Sequence, residues 1–329
     1  MKYKVVIGDF IEDPTVECEV LGENFEVVAL KKDNEKDFIP HLADVDAVML
    51  WHEFPIGKDA LDAMAKCKII SRMGVGFDNV DIDYAKEKGI AVCNVPDYGT
   101  DVVADHAMMF MLALCRNLSL YNEAYRKSPG NWDPFLVDTS VRLKNKKLGL
   151  IGMGRIGTAV ALRAKAFGLD IQFYDPYVSD GYDKAIGAKR VELGELLESS
   201  DIISLHVPLT SETKNMINKN TFAKMKKGVL LVNTARGGVL DFDALYDAIN
   251  SGIVGGCGLD VTHPEPPSDD SALIKAWRDK DGEIAHKVLL TPHSAFYTEE
   301  SLLELRQKGA QRIKDYFEKG IITNQVNEC

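Results

Sequence analysis

Apolar residues in this chain fall into short unbroken runs, separated by polar and turn-forming stretches. In the first third the runs cover residues 4–7, 25–29, 47–50, 69–72 and 91–94, with helix-like stretches between several of them, such as 58–65 and 82–88. Runs with no in–out alternation suit strands buried on both faces, and strands that alternate with helices predict a parallel sheet. A second series follows, with strand candidates at 148–151, 170–174, 201–207, 228–233, 256–261 and 288–291. Helices are predicted near 158–167, 193–198, 219–224 and 241–251. Six strands is the usual count for a full dinucleotide-binding sheet. Between the two series lie a breaker stretch at 94–100, which is a candidate hinge, and a long helix from 101 to about 118. An extended arm at 128–143 follows, with Pro129, Gly130, Asn131, Trp132 and Pro134. The apolar stretch 102–118 carries Asp105, His106 and Arg116, which marks a buried helix rather than a membrane span. The last helix, 301–319, has an apolar face with Leu302, Leu303, Leu305 and Ile313, and could return to the first domain.

The strand at 148–151 runs straight into Gly152-Met-Gly-Arg-Ile-Gly157, followed by an Ala-rich helix and a second strand that ends on Asp175. Gly152 suits the tight turn off the strand, Gly154 a close backbone approach to a pyrophosphate, and Gly157 close helix–strand packing. The helix N-terminus favours an anion. Asp175 lies 23 residues after Gly152, where a carboxylate can accept both ribose hydroxyls of NAD. No cation follows within Pro176-Tyr-Val-Ser179, so NAD(H) is predicted over NADP(H). The loop Met73-Gly-Val-Gly-Phe77 lacks the third glycine; it reads as a backbone cradle for a substrate carboxylate or as a plain turn.

Composition narrows the partners. With 329 residues about two domains are expected, and a net charge of −11 disfavours nucleic acid or an anionic membrane as a partner. Six cysteines without CxxC spacing read as reduced, mostly buried thiols in a cytoplasmic protein. No signal-peptide pattern is present at the start, and no solenoid-period repeat or low-complexity segment was found.

Strand ends in such a sheet face the cofactor crevice, and three carry chemistry. Arg236, between a strand and Gly237-Gly238, could clamp a carboxylate and polarise a carbonyl; a surface salt bridge fits the same position. His293 is the leading acid–base candidate. An unperturbed imidazole is mostly neutral at pH 7, and a nearby carboxylate keeps its donor form populated. Glu265, held by Pro264, Pro266 and Pro267, could supply that carboxylate. His263 is a rival, and a core histidine is the alternative for either. His206 ends a strand and borders the cofactor instead. Asp260 could hold a nicotinamide carboxamide or cap its loop.

At these residues the sequence resembles the D-isomer-specific 2-hydroxyacid dehydrogenases. The matching motifs run from Arg72-Met-Gly-Val-Gly-Phe-Asp-Asn79 and Asn94-Val-Pro96 through Ala104-Asp-His106 and the 148–157 glycine motif. They continue with Leu205-His-Val-Pro-Leu-Thr210, Val232-Asn-Thr-Ala-Arg-Gly-Gly238, Gly258-Leu-Asp-Val261 with Glu265-Pro-Pro267, and Thr291-Pro-His293. The resemblance implies two doubly wound α/β domains, a Rossmann NAD domain at 100–295 inserted in a flavodoxin-like substrate domain at 1–99 plus 296–329. It places the family's catalytic residues on Arg236, Glu265 and His293. Cofactor contacts are expected at Val103, Gly152, Gly154, Arg155, Ile156, Gly157, Asp175, His206, Val207, Pro208, Thr213, Thr234, Ala235, Arg236, Asp260 and His293. The substrate carboxylate would meet backbone N–H groups near Val75 and Gly76, and a homodimer would form on the cofactor domain. Trp51-His52 and Ser294-Ala-Phe-Tyr297 resemble the branch that includes the C-terminal-binding protein corepressors, not the usual phosphoglycerate dehydrogenase pattern. No regulatory serine-binding domain is expected after residue 319. In that branch Trp51 and Phe296 would form an apolar wall, favouring a 2-keto acid with an apolar or bulky side chain; both residues could also simply pack. The segment 277–286 is longer than the usual connection and reads as a surface excursion or an oligomer contact.

The reading is therefore an NAD(H)-dependent oxidoreductase that interconverts a 2-keto acid and a D-2-hydroxy acid, with His293 as general acid and base and domain closure at 94–100 and 292–294. The rivals are an NAD(H)-sensing, corepressor-like interaction protein and a phosphite- or formate-type dehydrogenase. A formate-type enzyme is expected to carry Gln in place of Glu265.

Overall fold

Valine, isoleucine and leucine runs too short for stable helices become strands wherever both of their faces can be covered. The computed structural model describes every residue except Met1, Pro129, Asn131, Asp138, Thr139, Lys280, Asp281, Glu283 and Cys329. It divides into two units, Met1–Gly99 with Tyr297–Cys329, and Thr100–Phe296. Phe296 closes the second unit, one residue beyond the boundary read from the sequence. Two of the named residues of the 128–143 arm, Pro129 and Asn131, and Lys280, Asp281 and Glu283 of the 277–286 segment, lie outside the described residues. So does Cys329.

The first unit has strands β1 (Tyr3–Ile7), β2 (Phe25–Ala29), β3 (Ala47–Leu50), β4 (Ile69–Arg72) and β5 (Ala91–Asn94). Their order is β2-β1-β3-β4-β5 and every pairing is parallel, the flavodoxin-like order. Val6, Val48, Leu50, Ile70 and Val92 project from one face onto Phe38, Leu42 and Leu61. The helix Glu299–Lys319 completes this unit from the far end of the chain. A capping box between Thr298 and Ser301 starts it, and Gly320 at φ 67° ends it. It lies so close to β4 that a Cβ on Gly309 would stand 2.3 Å from the Met73 sulfur. Ser71 donates to the Gly309 carbonyl at 3.0 Å. Beyond the helix, the Val326 amide donates to the Val92 carbonyl at 2.8 Å, beside an antiparallel bridge of Gln325 with Cys93, and ties this last segment to the edge of β5.

The second unit has strands β6 (Lys147–Ile151), β7 (Asp170–Tyr174), β8 (Lys189–Arg190), β9 (Ile202–Leu205), β10 (Val229–Asn233), β11 (Val254–Leu259) and β12 (Val288–Leu290). All are parallel, in the order β12-β11-β10-β9-β6-β7-β8. This is the doubly wound dinucleotide-binding order with one further strand, and it reverses direction between β6 and β9. Alternate residues feed two cores. Leu148, Leu150, Phe173, Leu230 and Val232 pack on one face, and Ile151, Ile203, Leu205, Leu231 and Leu259 on the other. Burial on both faces explains why these strands lack alternation.

Seven strands replace the expected six, because β8 is two charged residues with no apolar run. The long helix stops at Cys115, and a second helix, Leu118–Lys127, starts after Asn117 in a left-handed turn at φ 50°. Within the arm, Trp132 meets Tyr125 edge-on at 4.9 Å and is 81% exposed. Trp277 and Arg278 belong to a helix, Ala272–Arg278. Among the described residues no helix is long and apolar enough to cross a membrane. The free thiols of Cys67, Cys93, Cys115 and Cys257 are buried, whereas Cys18 is exposed.

One buried ion pair ties the ends of the first unit together. The Arg306 guanidinium makes bonds of 2.7 and 2.6 Å to the two oxygens of Glu17, which is fully buried, and a third of 2.6 Å to the Asp13 carbonyl. Arg306→Met strands the Glu17 carboxylate and should destabilise the protein by about 3–5 kcal/mol in denaturant unfolding. The double variant Glu17→Met/Arg306→Met should recover most of that loss.

Candidate active site

The turn leaving β6 is built from contacts that only glycine allows. Gly152 holds φ 93°, and a Cβ there would stand 2.6 Å from the His206 carbonyl oxygen; on Gly157 it would stand 2.2 Å from the Gly152 carbonyl oxygen. At Gly154 an added Cβ would meet nothing within 4 Å, so the backbone is open on the side a ligand would approach. Gly154 caps the helix Arg155–Ala166, and Arg155 and Ile156 form its first turn. The Asp175 carboxylate takes the Met153 N–H at 2.7 Å on one oxygen and the Tyr177 N–H at 2.9 Å on the other. It is thus fixed to the glycine turn, and a carboxylate has lone pairs left for ribose hydroxyls. Arg190 steadies the same loop from below, through the Asp175 and Val178 carbonyls at 2.9 and 3.2 Å.

Across the reversal point, the loop after β9 carries His206, Val207, Pro208 and Thr213. The His206 amide donates to the Ile151 carbonyl at 2.7 Å, and its Nε2 lies 2.9 Å from the Ser204 hydroxyl. Burial pushes the His206 imidazole down to about 4, so it is neutral at neutral pH. Thr213 turns its hydroxyl into its own loop, donating to the Pro208 carbonyl at 2.5 Å. Val103 is 7% exposed within the helix Thr100–Cys115. Thr234, after β10, has a buried hydroxyl with no hydrogen-bond partner among the described residues. The open backbone at Gly154, the anchored Asp175 and the orphaned Thr234 hydroxyl together fit an extended polar cofactor of dinucleotide type.

The candidate acid–base residues stand on the next three strand ends. Asn233, buried at the tip of β10, clamps the turn that presents Arg236. Its Oδ1 accepts the Ala235 N–H at 3.0 Å, and its Nδ2 donates to the Arg236 carbonyl at 3.0 Å. A Cβ on Gly237 would stand 1.8 Å from the Thr262 carbonyl oxygen, so this turn presses on the loop that carries Glu265. Glu265 accepts the Thr262 N–H at 3.0 Å and faces His293 Nδ1 at 2.7 Å. Partial burial pushes its carboxyl up, but His293, the Thr262 N–H and the Arg236 guanidinium outweigh that and hold it below the usual range. His263, the rival histidine, is exposed one turn away. Phe296 meets the His293 ring edge-on, with centroids 6.3 Å apart.

Asp260 lies beneath this group and is 1% exposed. Its oxygens accept Thr291 Oγ1 at 2.5 Å, the Ser294 N–H at 2.8 Å and the Ala295 N–H at 2.9 Å. The carboxylate is therefore committed to the loop that carries His293. Of the two roles read for Asp260 from the sequence, these bonds are those of the loop cap. The clamp by Asn233 was not read from the sequence, although a polar residue closing an apolar strand was the available signal.

In the first unit, Val75 and Gly76 lie on a turn held by Asn94, whose Nδ2 donates to the Val75 carbonyl at 2.7 Å. Trp51 is 1% exposed and stacks on Phe10 at 4.8 Å, and its Nε1 has no hydrogen-bond partner among the described residues. Its amide and that of Glu53 donate to Asp9 at 2.7 and 3.0 Å; burial pushes the Asp9 carboxyl up to about 6 despite these bonds.

The His206 shift has a signed consequence for stability. An unfolded histidine takes its proton near 6.5 and folded His206 only near 4, so the unfolded state holds more protons between those values. Stability should fall as pH drops through that window, by at most about 3 kcal/mol from this group. Urea unfolding at stepped pH should give a flatter curve for His206→Gln than for the parent; parallel curves would mean that the imidazole is solvated.

Comparison with known proteins fits this geometry. Residues 108–295 match the NAD binding domain of the D-isomer specific 2-hydroxyacid dehydrogenases. The glyoxylate reductase of Korarchaeum cryptofilum is 35% identical over 313 residues, covering 94% of this chain and 91% of that protein. The D-3-phosphoglycerate dehydrogenase of Archaeoglobus fulgidus is 35% identical over 326 residues, covering 98% of this chain. The chain spans only 59% of the length of that relative. The crystal structure of the D-lactate dehydrogenase of Aquifex aeolicus with NAD and lactic acid superposes with a TM-score of 0.84 at 31% identity, over 99% of both chains. These matches leave the corepressor-like branch as a sequence resemblance. They extend over both units, and with them the chain belongs to the D-isomer-specific 2-hydroxyacid dehydrogenase family.

Proposed function

We propose that this protein is an NAD(H)-dependent D-2-hydroxyacid dehydrogenase that interconverts a 2-keto acid and a D-2-hydroxy acid. The observation that carries the proposal is the His293–Glu265 pair at 2.7 Å, with the charge of Arg236 felt at Glu265. Gly152 to Gly157, Asp175, the 206–208 loop, Thr234 and Ala235 would hold the nicotinamide cofactor, which supplies the hydride. Reduction of a ketone builds negative charge on its oxygen, and a placed proton donor lowers that barrier. Glu265 holds Nδ1 of His293 and fixes the orientation of the ring, so Nε2 is the nitrogen that delivers the proton. Arg236 offers a planar, permanently charged donor set to the substrate carboxylate and carbonyl. In the first unit, the amides at Val75 and Gly76 are assigned to the substrate carboxylate. Oxidation of the hydroxy acid reverses the proton movement.

The substrate is assigned as a 2-keto acid with an apolar side chain, on the strength of Phe296 beside His293. NADH oxidation should be tested against a panel from glyoxylate and pyruvate to branched and aromatic 2-keto acids. Turnover should favour the apolar members, and His293→Gln should lower kcat by about 10²-fold or more with NADH still bound. Turnover by His293→Gln at the parent rate would refute the assignment.

The protein is further assigned as a homodimer through the second unit. A shallow apolar groove of ≈ 510 Å³ lies between the helices Thr100–Cys115 and Arg155–Ala166, lined by Met108, Met109, Leu112 and Phe167. Met109 and Phe167 are 45% and 44% exposed, more apolar surface than a lone subunit gains by showing. The Arg163–Asp105 pair at 2.6 Å borders the groove. Analytical ultracentrifugation should give a dimer for the parent and a monomer for Met109→Asp; a monomeric parent would contradict the assignment.

A further inference from the structure

His106 ends a hydrogen-bond chain that leads to the loop of His293. It lies on the helix Thr100–Cys115, and its Nε2 is 3.0 Å from Thr291 Oγ1. Thr291 Oγ1 lies 2.5 Å from Asp260 Oδ1. The direct His106–Asp260 separation is 3.8 Å, too long for a hydrogen bond, so the threonine is the link.

The chain can run in one direction only. An ionised carboxylate accepts and cannot donate, so the single proton of the Thr291 hydroxyl is spent on Asp260. Thr291 can then only accept from His106, and Nε2 of His106 must carry a hydrogen. The Phe110 ring lies edge-on at 4.7 Å and shields the imidazole. Burial pushes His106 down and Asp260 pushes it up by less, so the ring stays neutral with its one proton on Nε2.

What the chain braces is a costly turn. His293 holds φ 50°, in the left-handed region that side chains other than glycine seldom occupy. Its amide donates to the Asp260 carbonyl at 2.7 Å, and the amides of Ser294 and Ala295 donate to the Asp260 carboxylate. Asp260 therefore grips the turn from both its backbone and its side chain. The side chain is aimed by Thr291, and Thr291 by His106. The helix Thr100–Cys115 and the tips of β11 and β12 are thereby joined under the acid–base group.

We propose that His106 is a positioning residue for the dehydrogenase reaction: it donates through Thr291 to Asp260 and so fixes the left-handed turn that aims His293. This rests on the assignment of His293 as the acid–base group. His106→Phe removes the donor and Thr291→Val removes the link. Each should lower kcat for 2-keto acid reduction by about tenfold to a hundredfold, the scale of a small misplacement of a reacting group. The Kd for NADH should be unchanged. His106→Gln, whose amide can donate at the same place, should recover most of the rate. The two losses should not add in the double variant, because both break one chain. Independently of turnover, ¹⁵N NMR of the cofactor-free protein at pH 8 should show His106 as the neutral Nε2–H tautomer.

Parent-like kcat in Thr291→Val overturns the proposal. So does a parallel loss of kcat and NADH affinity in both variants, which would make the chain merely structural. An Nδ1–H tautomer for His106 overturns it too. A fully active His293→Gln would instead sink the acid–base assignment, and the tautomer measurement would still report on the chain.

Discussion

Asp260 is a buried carboxylate whose three hydrogen bonds and backbone carbonyl hold residues 291–295 in one conformation. Burying a charge is tolerated only when its bonds are complete. Here the partners are a hydroxyl and two amides from a single loop, so the carboxylate fixes the loop and the loop satisfies the carboxylate. His293 then stands in a backbone conformation it would not choose, facing Glu265. The arrangement resembles other active sites in which local backbone strain is held by surrounding structure.

The same logic of close approach operates at the cofactor turn. Gly152, Gly157 and Gly237 each sit where a methyl group would collide with a neighbouring carbonyl. These contacts bring the end of β6 against the loop after β9 at the reversal of strand order, where a doubly wound sheet opens its crevice, and the loop after β10 against the loop after β11. Parallel strands buried on both faces supply a rigid frame, and the chemistry is placed on the loops at their C-terminal ends.

The strands were legible because burial on both faces leaves nothing but apolar residues, as in Val229 to Val232. The glycine motif and Asp175 were legible because their spacing follows from one βαβ unit. Arg236, Glu265 and His293 could be picked out as polar residues at strand ends, with Glu265 as the carboxylate for the histidine, though choosing His293 over His263 needed the resemblance. What stayed hidden depends on contacts distant in sequence or on very short elements. His106 and Thr291 are 185 residues apart. The helices Glu35–Phe38 and Tyr182–Ile186 are single turns without a periodic face, and β8 is a Lys-Arg pair held by its neighbour β7. The break at Asn117 lies inside an otherwise helical pattern and rests on one left-handed residue.

The central claim is that hydride passes between a nicotinamide and the carbonyl carbon of a 2-keto acid, with delivery to one face. The direct measurement is to incubate the protein with NADH dideuterated at the nicotinamide C4 and a branched 2-keto acid, then determine the label and configuration of the product. The expected product is a hydroxy acid of D configuration with deuterium on C2. An L product, or a product without deuterium at C2, would contradict the claim.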